Sequence, residues 1–264
     1  MNEPKLEGPS IPISIDTQKV KYLSEGEDHK RGMSRIAQHL ADDEEHFRRF
    51  YKLCYQQKFL PAGRIQSAAG AEREVTAFNC FVSDTIPDSF EGIMEKLKEA
   101  GITMRLGGGI GYDFSTLRPR GATIKSLDSK SSGPLSFMDI YDALCTTIAS
   151  AGHRRGAQMG VLRVDHPDIE AFVEAKCNRH QLTQFNISVG ATDEFMNAVV
   201  NNLPFDLRFE GKVYKTVDAY KLYERIMRAT YDWAEPGVLF LDTMNKKNNL
   251  WFMEKIVATN PCGR

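Results

Sequence analysis

Cysteine 262 is the residue around which chemistry is most readily drawn. It stands in Thr259-Asn260-Pro261-Cys262-Gly263-Arg264, between a proline that fixes the backbone and a glycine that lets it turn. The apolar run Ile256-Val257-Ala258 leads into it and predicts the end of a buried strand. A sulfur presented at a tight turn just past a strand is aimed at a cavity. The alternative is an idle thiol on a frayed chain end. Cys80 is a second candidate, although a cysteine within an apolar strand is ordinarily a small core residue. Cys177-Asn178-Arg179-His180 places ligand types at CxxH spacing, but no second pair lies nearby, so no metal site is expected.

Glycine and arginine clusters add further candidates. Gly107-Gly108-Gly109-Ile110-Gly111 lacks the Gly-Lys-Ser/Thr of a phosphate-binding P-loop. It also follows a helix where a dinucleotide fingerprint follows a strand. It reads either as a helix C-cap with a tight turn or as a place where backbone approaches a ligand closely. Ser150 to Met159 is a Gly-bracketed loop holding Arg154 and Arg155, and Leu117-Arg118-Pro119-Arg120-Gly121 carries two more arginines. Such arginines are either solvated surface charge or contacts for a phosphate or base.

The elements that would position these residues alternate in type. Residues 1–28 are polar and predict a loosely ordered or partner-wrapped segment. Residues 29–58 carry helical patterning through Ile36, Leu40, Phe47, Phe50, Tyr51 and Cys54, broken at Phe59 to Arg64. Ser67 to Gly70 reads as a loop and 75–82 as a strand. Asp88-Ser89 caps a helix through Ile102, with Glu91 placed to complete the cap. A polar loop over 126–133, a helix over 137–151 and a strand over 160–164 follow. Asp165 is expected to cap a helix with Pro167 in its first turn. A strand over 182–189, a helix capped by Thr192-Asp193, and a hairpin of 205–209 with 212–217 come next. Asp218 opens a helix over 219–234, and 238–241 is the last strand. Strands alternating with helices predict an α/β fold with parallel strands.

Composition narrows the function. The chain has 264 residues, of which 42% are hydrophobic, and its net charge is −1. That gives no basic field for nucleic acid or membrane surfaces. No stretch reaches the length of a membrane span, and the N-terminus lacks the apolar core of a secretory signal. Five cysteines, odd in number and widely spaced, fit a reducing compartment, so a cytoplasmic location is expected.

Taken in order, these stretches resemble the first part of the large, catalytic subunit of a ribonucleotide reductase, and most closely the adenosylcobalamin-dependent class II. The matching motifs are Phe59-Leu60-Pro61-Ala62-Gly63-Arg64-Ile65, Asn79-Cys80-Phe81-Val82, and Gly107 to Gly111 running into Phe114 to Gly121. Ser132-Gly133-Pro134 to Met138, Arg154-Arg155-Gly156-Ala157, Asp165 to Ile169, Phe185 to Val189 and Asn260-Pro261-Cys262-Gly263 complete the series.

The resemblance implies a ten-stranded α/β barrel of two parallel halves, with the radical cysteine at the tip of a finger loop. Residues 1–58 would form a polar, helical N-terminal region. Residues 59–264 would form the first, incomplete half-barrel. Cys262 matches the cysteine that becomes a thiyl radical and removes the 3′ hydrogen of the substrate ribose. Asn260 matches the asparagine on the ribose hydroxyls, and Cys80 the first cysteine of the redox pair. Asn79 and Gly109 match substrate contacts, and Arg155 lies in the loop that relays effector identity to base choice. Asp88, Ser89, Phe90 and Arg118 match positions binding a deoxynucleotide allosteric effector at a dimer interface. The implied partners are a ribonucleotide substrate, a thioredoxin- or glutaredoxin-type reductant and a possible second copy.

Departures from the family accompany the match. The family has a glutamate two residues after the radical cysteine, where this chain has Arg264, and arginine cannot act as a carboxylate. The second redox cysteine, the second half-barrel and the C-terminal CxxC tail all fall beyond residue 264, and there is no room before residue 55 for an ATP-cone domain. The expectation is a piece of a reductase that needs a second chain carrying the C-terminal half-barrel. The alternatives are a non-catalytic nucleotide-binding and dimerising remnant, or a fragment of a class I large subunit.

Overall fold

A computed structural model describes residues 8–124, 128–148, 156–177 and 181–263. Arg155, Arg264 and the Asn178 to His180 half of the CxxH motif lie outside the described residues.

The N-terminal unit is helical. Helix α1 spans Pro12–Lys21, in a stretch expected to be irregular, with Pro12 at its first turn. The single periodic run over 29–58 is two helices, α2 (His29–Leu40) and α3 (Glu44–Tyr55). The break comes at Ala41, which is extended, and Asp43 then accepts a hydrogen bond from the His46 amide. An N-cap aspartate inside an apolar repeat starts a new helix without disturbing the repeat. Met33, Ile36, Cys54 and Ala69 form the core of this unit. A short α4 (Gly63–Ala68) runs through the start of the expected Ser67 to Gly70 loop.

The second unit is built on a five-stranded, wholly parallel sheet. Its elements in chain order are β1 (Cys80–Val82), α5 (Phe90–Arg105), β2 (Gly109–Asp113), β3 (Thr123–Ile124), β4 (Ser129–Lys130), α6 (Pro134–Thr147), β5 (Gln158–Arg163), α7 (Ile169–Glu174), β6 (Phe185–Ala191), α8 (Asp193–Val200), β7 (Pro204–Phe209), β8 (Lys212–Asp218), α9 (Ala219–Trp233), β9 (Gly237–Phe240) and α10 (Leu241–Lys247). The strand order is β1-β2-β5-β6-β9, while β3–β4 and β7–β8 are separate antiparallel pairs. Each new strand adds on the same side of the last. The sheet therefore has no reversal of the doubly wound kind, and it has the one-way winding of an opened barrel.

Alternation along the strands gives the sheet two different faces. Ile110, Tyr112, Leu162, Phe185, Ile187 and Val189 point into the main core, where α5 to α9 supply Ile93, Tyr141, Phe172, Phe195 and Ile226, all nearly or fully buried. Each such side chain contributes about 1.5–3 kcal/mol by leaving water. Gln158 is fully buried among them; its carboxamide accepts from the Tyr112 hydroxyl at 3.1 Å and donates to the Tyr141 carbonyl at 3.0 Å. The opposite face carries Gly109, Gly111, Met159, Val161, Asn186 and Ser188, and a smaller apolar cluster of Met159, Val161, Leu239, Leu241 and Ala258.

Four further stretches correct or refine the sequence expectations. The strand expected over 75–82 contracts to Cys80–Val82, because Thr76 donates to Leu106 and its hydroxyl accepts from Phe78, turning the preceding chain away from a ladder. The glycine cluster is only partly a cap. Gly107 has a positive φ of 84°, but Gly109 and Gly111 are inside strand β2. Asp165 does not cap α7: its carboxylate is held by Arg163 at 2.7 and 3.0 Å, and the helix starts after Asp168. Residues 256–258 are not a strand but a coil, pinned by side chains described below.

Candidate active site

The open face of the sheet collects four of the expected residues. Cys80 is the first residue of β1 and is paired in register with Gly109 on β2. The C-terminal segment crosses above them. Its approach is controlled first by Asn245 on α10, whose carboxamide accepts from the Ile256 amide and donates to the Ile256 carbonyl, both at 2.8 Å. Ala258 then buries in the Met159–Val161 cluster. Beyond it the Thr259-Asn260 backbone lies directly on Gly111, where any Cβ would overlap the Thr259 carbonyl. A Cβ on Gly109 would meet the Cys80 sulfur and the Pro261 ring, each at 3.2 Å. Glycine at these two positions lets a peptide lie against a strand at backbone contact distance.

The turn itself is held from both sides. Asn186 on β6 donates to the Pro261 carbonyl at 3.1 Å. The Asn260 side-chain oxygen accepts from the Cys262 amide at 2.9 Å, closing an Asx-type turn, and Gly263 donates back to the Asn260 carbonyl at 3.0 Å. The result is an exposed Cys262 whose sulfur is 3.5 Å from that of half-buried Cys80. Asn79 immediately precedes Cys80 and is exposed. Two thiols at this distance can exchange a hydrogen atom or be oxidised together.

The remaining cysteines are differently placed. Cys54 and Cys145 are buried, and burial raises both thiol pKa values, Cys145 to about 11. Cys177 is exposed, and its pKa is raised by partial burial and by Glu174. Among the described residues no cluster of three or more His, Cys, Asp or Glu could hold a metal ion. No helix among them is long and apolar enough to cross a membrane.

The second expected group also comes together. Asp88, Ser89, Phe90 and Arg118 line a cavity of about 400 Å³ with Leu117, Ser131 and Phe137. Ser89 starts α5 by accepting from the Gly92 amide at 3.1 Å. Asp88 instead holds Arg118: its carboxylate accepts from the Arg118 side chain at 2.7 Å and backbone amide at 3.2 Å, and its carbonyl accepts from the guanidinium at 3.1 Å. The guanidinium is thereby fixed at the cavity wall beside an exposed Phe90 ring. A planar cation and an aromatic face are suited to a phosphate and a base.

Sequence reasoning assigned no individual role to Gly111, Asn186 or Asn245. Asn186 did carry a signal, since it alternates with apolar residues on an expected strand, which marks it as facing away from the main core.

Known proteins resemble the chain throughout. The family described as "Ribonucleotide reductase, barrel domain" matches residues 78–263, and "Ribonucleotide reductase, all-alpha domain" matches residues 13–74. A vitamin B12-dependent ribonucleoside-diphosphate reductase of Mycobacterium tuberculosis is 40% identical over 218 residues, covering 81% of this chain and 31% of the relative. One from Thermoplasma acidophilum is 40% identical over 187 residues, covering 70% of this chain and 24% of the relative. The class Id ribonucleotide reductase alpha subunit of Actinobacillus ureae superposes with a TM-score of 0.78 at 22% identity, over 96% of this chain and 45% of that one. The chain thus spans about a third or less of the curated relatives' length.

Proposed function

Because this chain belongs to the ribonucleotide reductase large-subunit family, we propose that it is part of a catalytic subunit that reduces ribonucleotides to deoxyribonucleotides for DNA synthesis, with adenosylcobalamin as radical source. The observation that carries the proposal is the exposed Cys262 sulfur on its pinned turn, 3.5 Å from Cys80. The B12 dependence of relatives 40% identical to the chain supports the cofactor. So does the exposure of Cys262, since a group outside the sheet can reach its sulfur. Cys262 would be the residue presented to adenosylcobalamin, which when bound supplies the first radical.

The chain's own residues then divide the work. Cys262, having lost its thiol hydrogen, takes the 3′ hydrogen of the ribose. A thiol S–H bond is close in strength to that C–H bond, so the hydrogen can be returned at the end. Asn260 orients the ribose hydroxyls, and Asn79 and Gly109 border the substrate. Cys80 with one further thiol supplies two electrons and two hydrogens. The 2′ hydroxyl leaves as water, a hydrogen takes its place, and the two thiols become a disulfide. A thioredoxin- or glutaredoxin-type protein would restore them. The second thiol, and a carboxylate to carry protons at the ribose, would come from the other half of the barrel, on the same protein or on a second chain. Residues 59–264 would be the first half-barrel, following the helical region 1–58. Asp88, Ser89, Phe90 and Arg118 would bind a deoxynucleotide effector at the contact with a second copy.

The test uses the whole protein with adenosylcobalamin, dithiothreitol and ribonucleoside diphosphates, and measures deoxynucleotide. Cys262→Ser should abolish product, because a hydroxyl holds its hydrogen too strongly to relay a radical. Cys177→Ser should leave product unchanged. Turnover by the Cys262→Ser protein would refute the assignment.

A further inference from the structure

We propose that Cys80 and Cys262 are also a modification site: they form a disulfide directly with each other, switching the site off. In the reductase reading Cys262 carries a radical and Cys80 pairs with a different thiol. A Cys80–Cys262 bond is therefore a separate state. Only its consequence rests on that reading, because a Cys262 without a thiol hydrogen cannot relay one. The bond itself rests on geometry.

The sulfurs stand 3.5 Å apart. They must approach by about 1.5 Å to reach disulfide length. Cys80 is fixed by its strand, paired with Gly109. Cys262 is exposed on a turn, so its side chain can make that approach. The turn's position is set by Gly111, which accepts the Thr259 backbone, and by Asn186 at the Pro261 carbonyl. Among the other described cysteines, Cys54 and Cys145 are buried and cannot compete.

The oxidant is a low-molecular-weight disulfide such as oxidised glutathione. One thiolate of the pair attacks it, a protein–glutathione disulfide forms and one glutathione leaves as thiolate. The second protein thiol gives up its proton and attacks the protein-side sulfur. The second glutathione then leaves. The protein pair loses two electrons and two hydrogens, and the glutathione disulfide gains them as two thiols.

The experiment treats the reduced whole protein with oxidised glutathione, blocks remaining thiols with N-ethylmaleimide and maps linked peptides by mass spectrometry. The expected product is a peptide containing Cys80 joined to one containing Cys262, unchanged in amount in Cys177→Ser. In Gly111→Ala the displaced Thr259-Asn260 backbone should carry Cys262 away, and the linked peptide should fall about tenfold or more. Cys54 and Cys145 should stay unlabelled in that variant, which shows that it remains folded. The proposal is overturned if the wild-type protein yields Cys80 joined only to some other cysteine, or Cys80 and Cys262 only as separate glutathione adducts. It is also overturned if a folded Gly111→Ala protein forms the link as well as wild type. Because the readout is a covalent link and not turnover, it stands or falls apart from the radical chemistry.

Discussion

Replacing Asn245 by alanine should release the chain that carries Cys262 without unfolding the sheet. The Asn245 carboxamide makes two hydrogen bonds to the Ile256 backbone at 2.8 Å, and a third to the Leu241 carbonyl within its own helix. Only the first two tie the incoming segment. Ile256 is half-buried, so water can partly replace what is lost, and each bond is worth about 1 kcal/mol net. Local opening at Ile256 should therefore become easier by about 2 kcal/mol, the sum of two such bonds. That is about a thirtyfold faster exchange of the Ile256 amide. Asn245→Asp keeps the acceptor for the amide and loses the donor, so it should give about fivefold. Hydrogen–deuterium exchange resolved at Ile256, with Ile187 in β6 as an internal standard, is the assay. The Ile187 amide should be unaffected. Unchanged exchange at Ile256 in Asn245→Ala, or equal acceleration at Ile187, would refute the view that this side chain is the local clamp.

Three further outcomes follow from the same structure. Gln158→Leu leaves the fully buried Tyr112 hydroxyl without its acceptor and should lower stability by about 1–3 kcal/mol in urea titrations, with the slope unchanged. Burial pushes the Cys145 thiol up to about 11, so the folded state holds a proton that the unfolded state releases from about pH 9. The associated stability is present below pH 9 and is lost as pH rises through about 11; a thermal melt series should show this decline in wild type and a shallower one in Cys145→Ala. Arg118→Ala removes the guanidinium fixed by Asp88 and should weaken binding of a deoxynucleoside triphosphate about tenfold or more by calorimetry, while Arg48→Ala, on an exposed helix face, should not.

Local chemistry was legible wherever it was strong. Ser89 and Thr192 start their helices by accepting an amide three residues on, as their types and positions suggest. The β7–β8 hairpin turns at Glu210-Gly211, both at positive φ. The fold class followed from the ordered motifs, and so did the expectation that Cys80 and Cys262 serve one site, where their sulfurs lie 3.5 Å apart. Strand β2 was not legible, because glycine is a poor strand former and the cluster looked like a turn. Its glycines are set by the peptide lying on them, a contact between segments about 150 residues apart that local pattern does not encode. The split of 29–58 was hidden because the apolar repeat continues across Asp43. Asp165 looked like a cap, but Arg163 two residues earlier captures its carboxylate. Asn245 gave no signal of its own, since an asparagine's role depends on which backbone is brought to it.

The most direct measurement of the central claim, that Cys262 takes the ribose 3′ hydrogen, is isotopic. The whole protein and its Cys262→Ser variant are each given adenosylcobalamin, reductant and an equal mixture of ribonucleoside diphosphate carrying hydrogen or deuterium at the 3′ position. If Cys262 removes that hydrogen, the wild-type protein consumes the light substrate faster, and the residual substrate becomes enriched in deuterium. The variant then makes no product and leaves the mixture unchanged. Deoxynucleotide made by the Cys262→Ser protein with the same deuterium enrichment would contradict the claim, because some other group would then be taking the 3′ hydrogen.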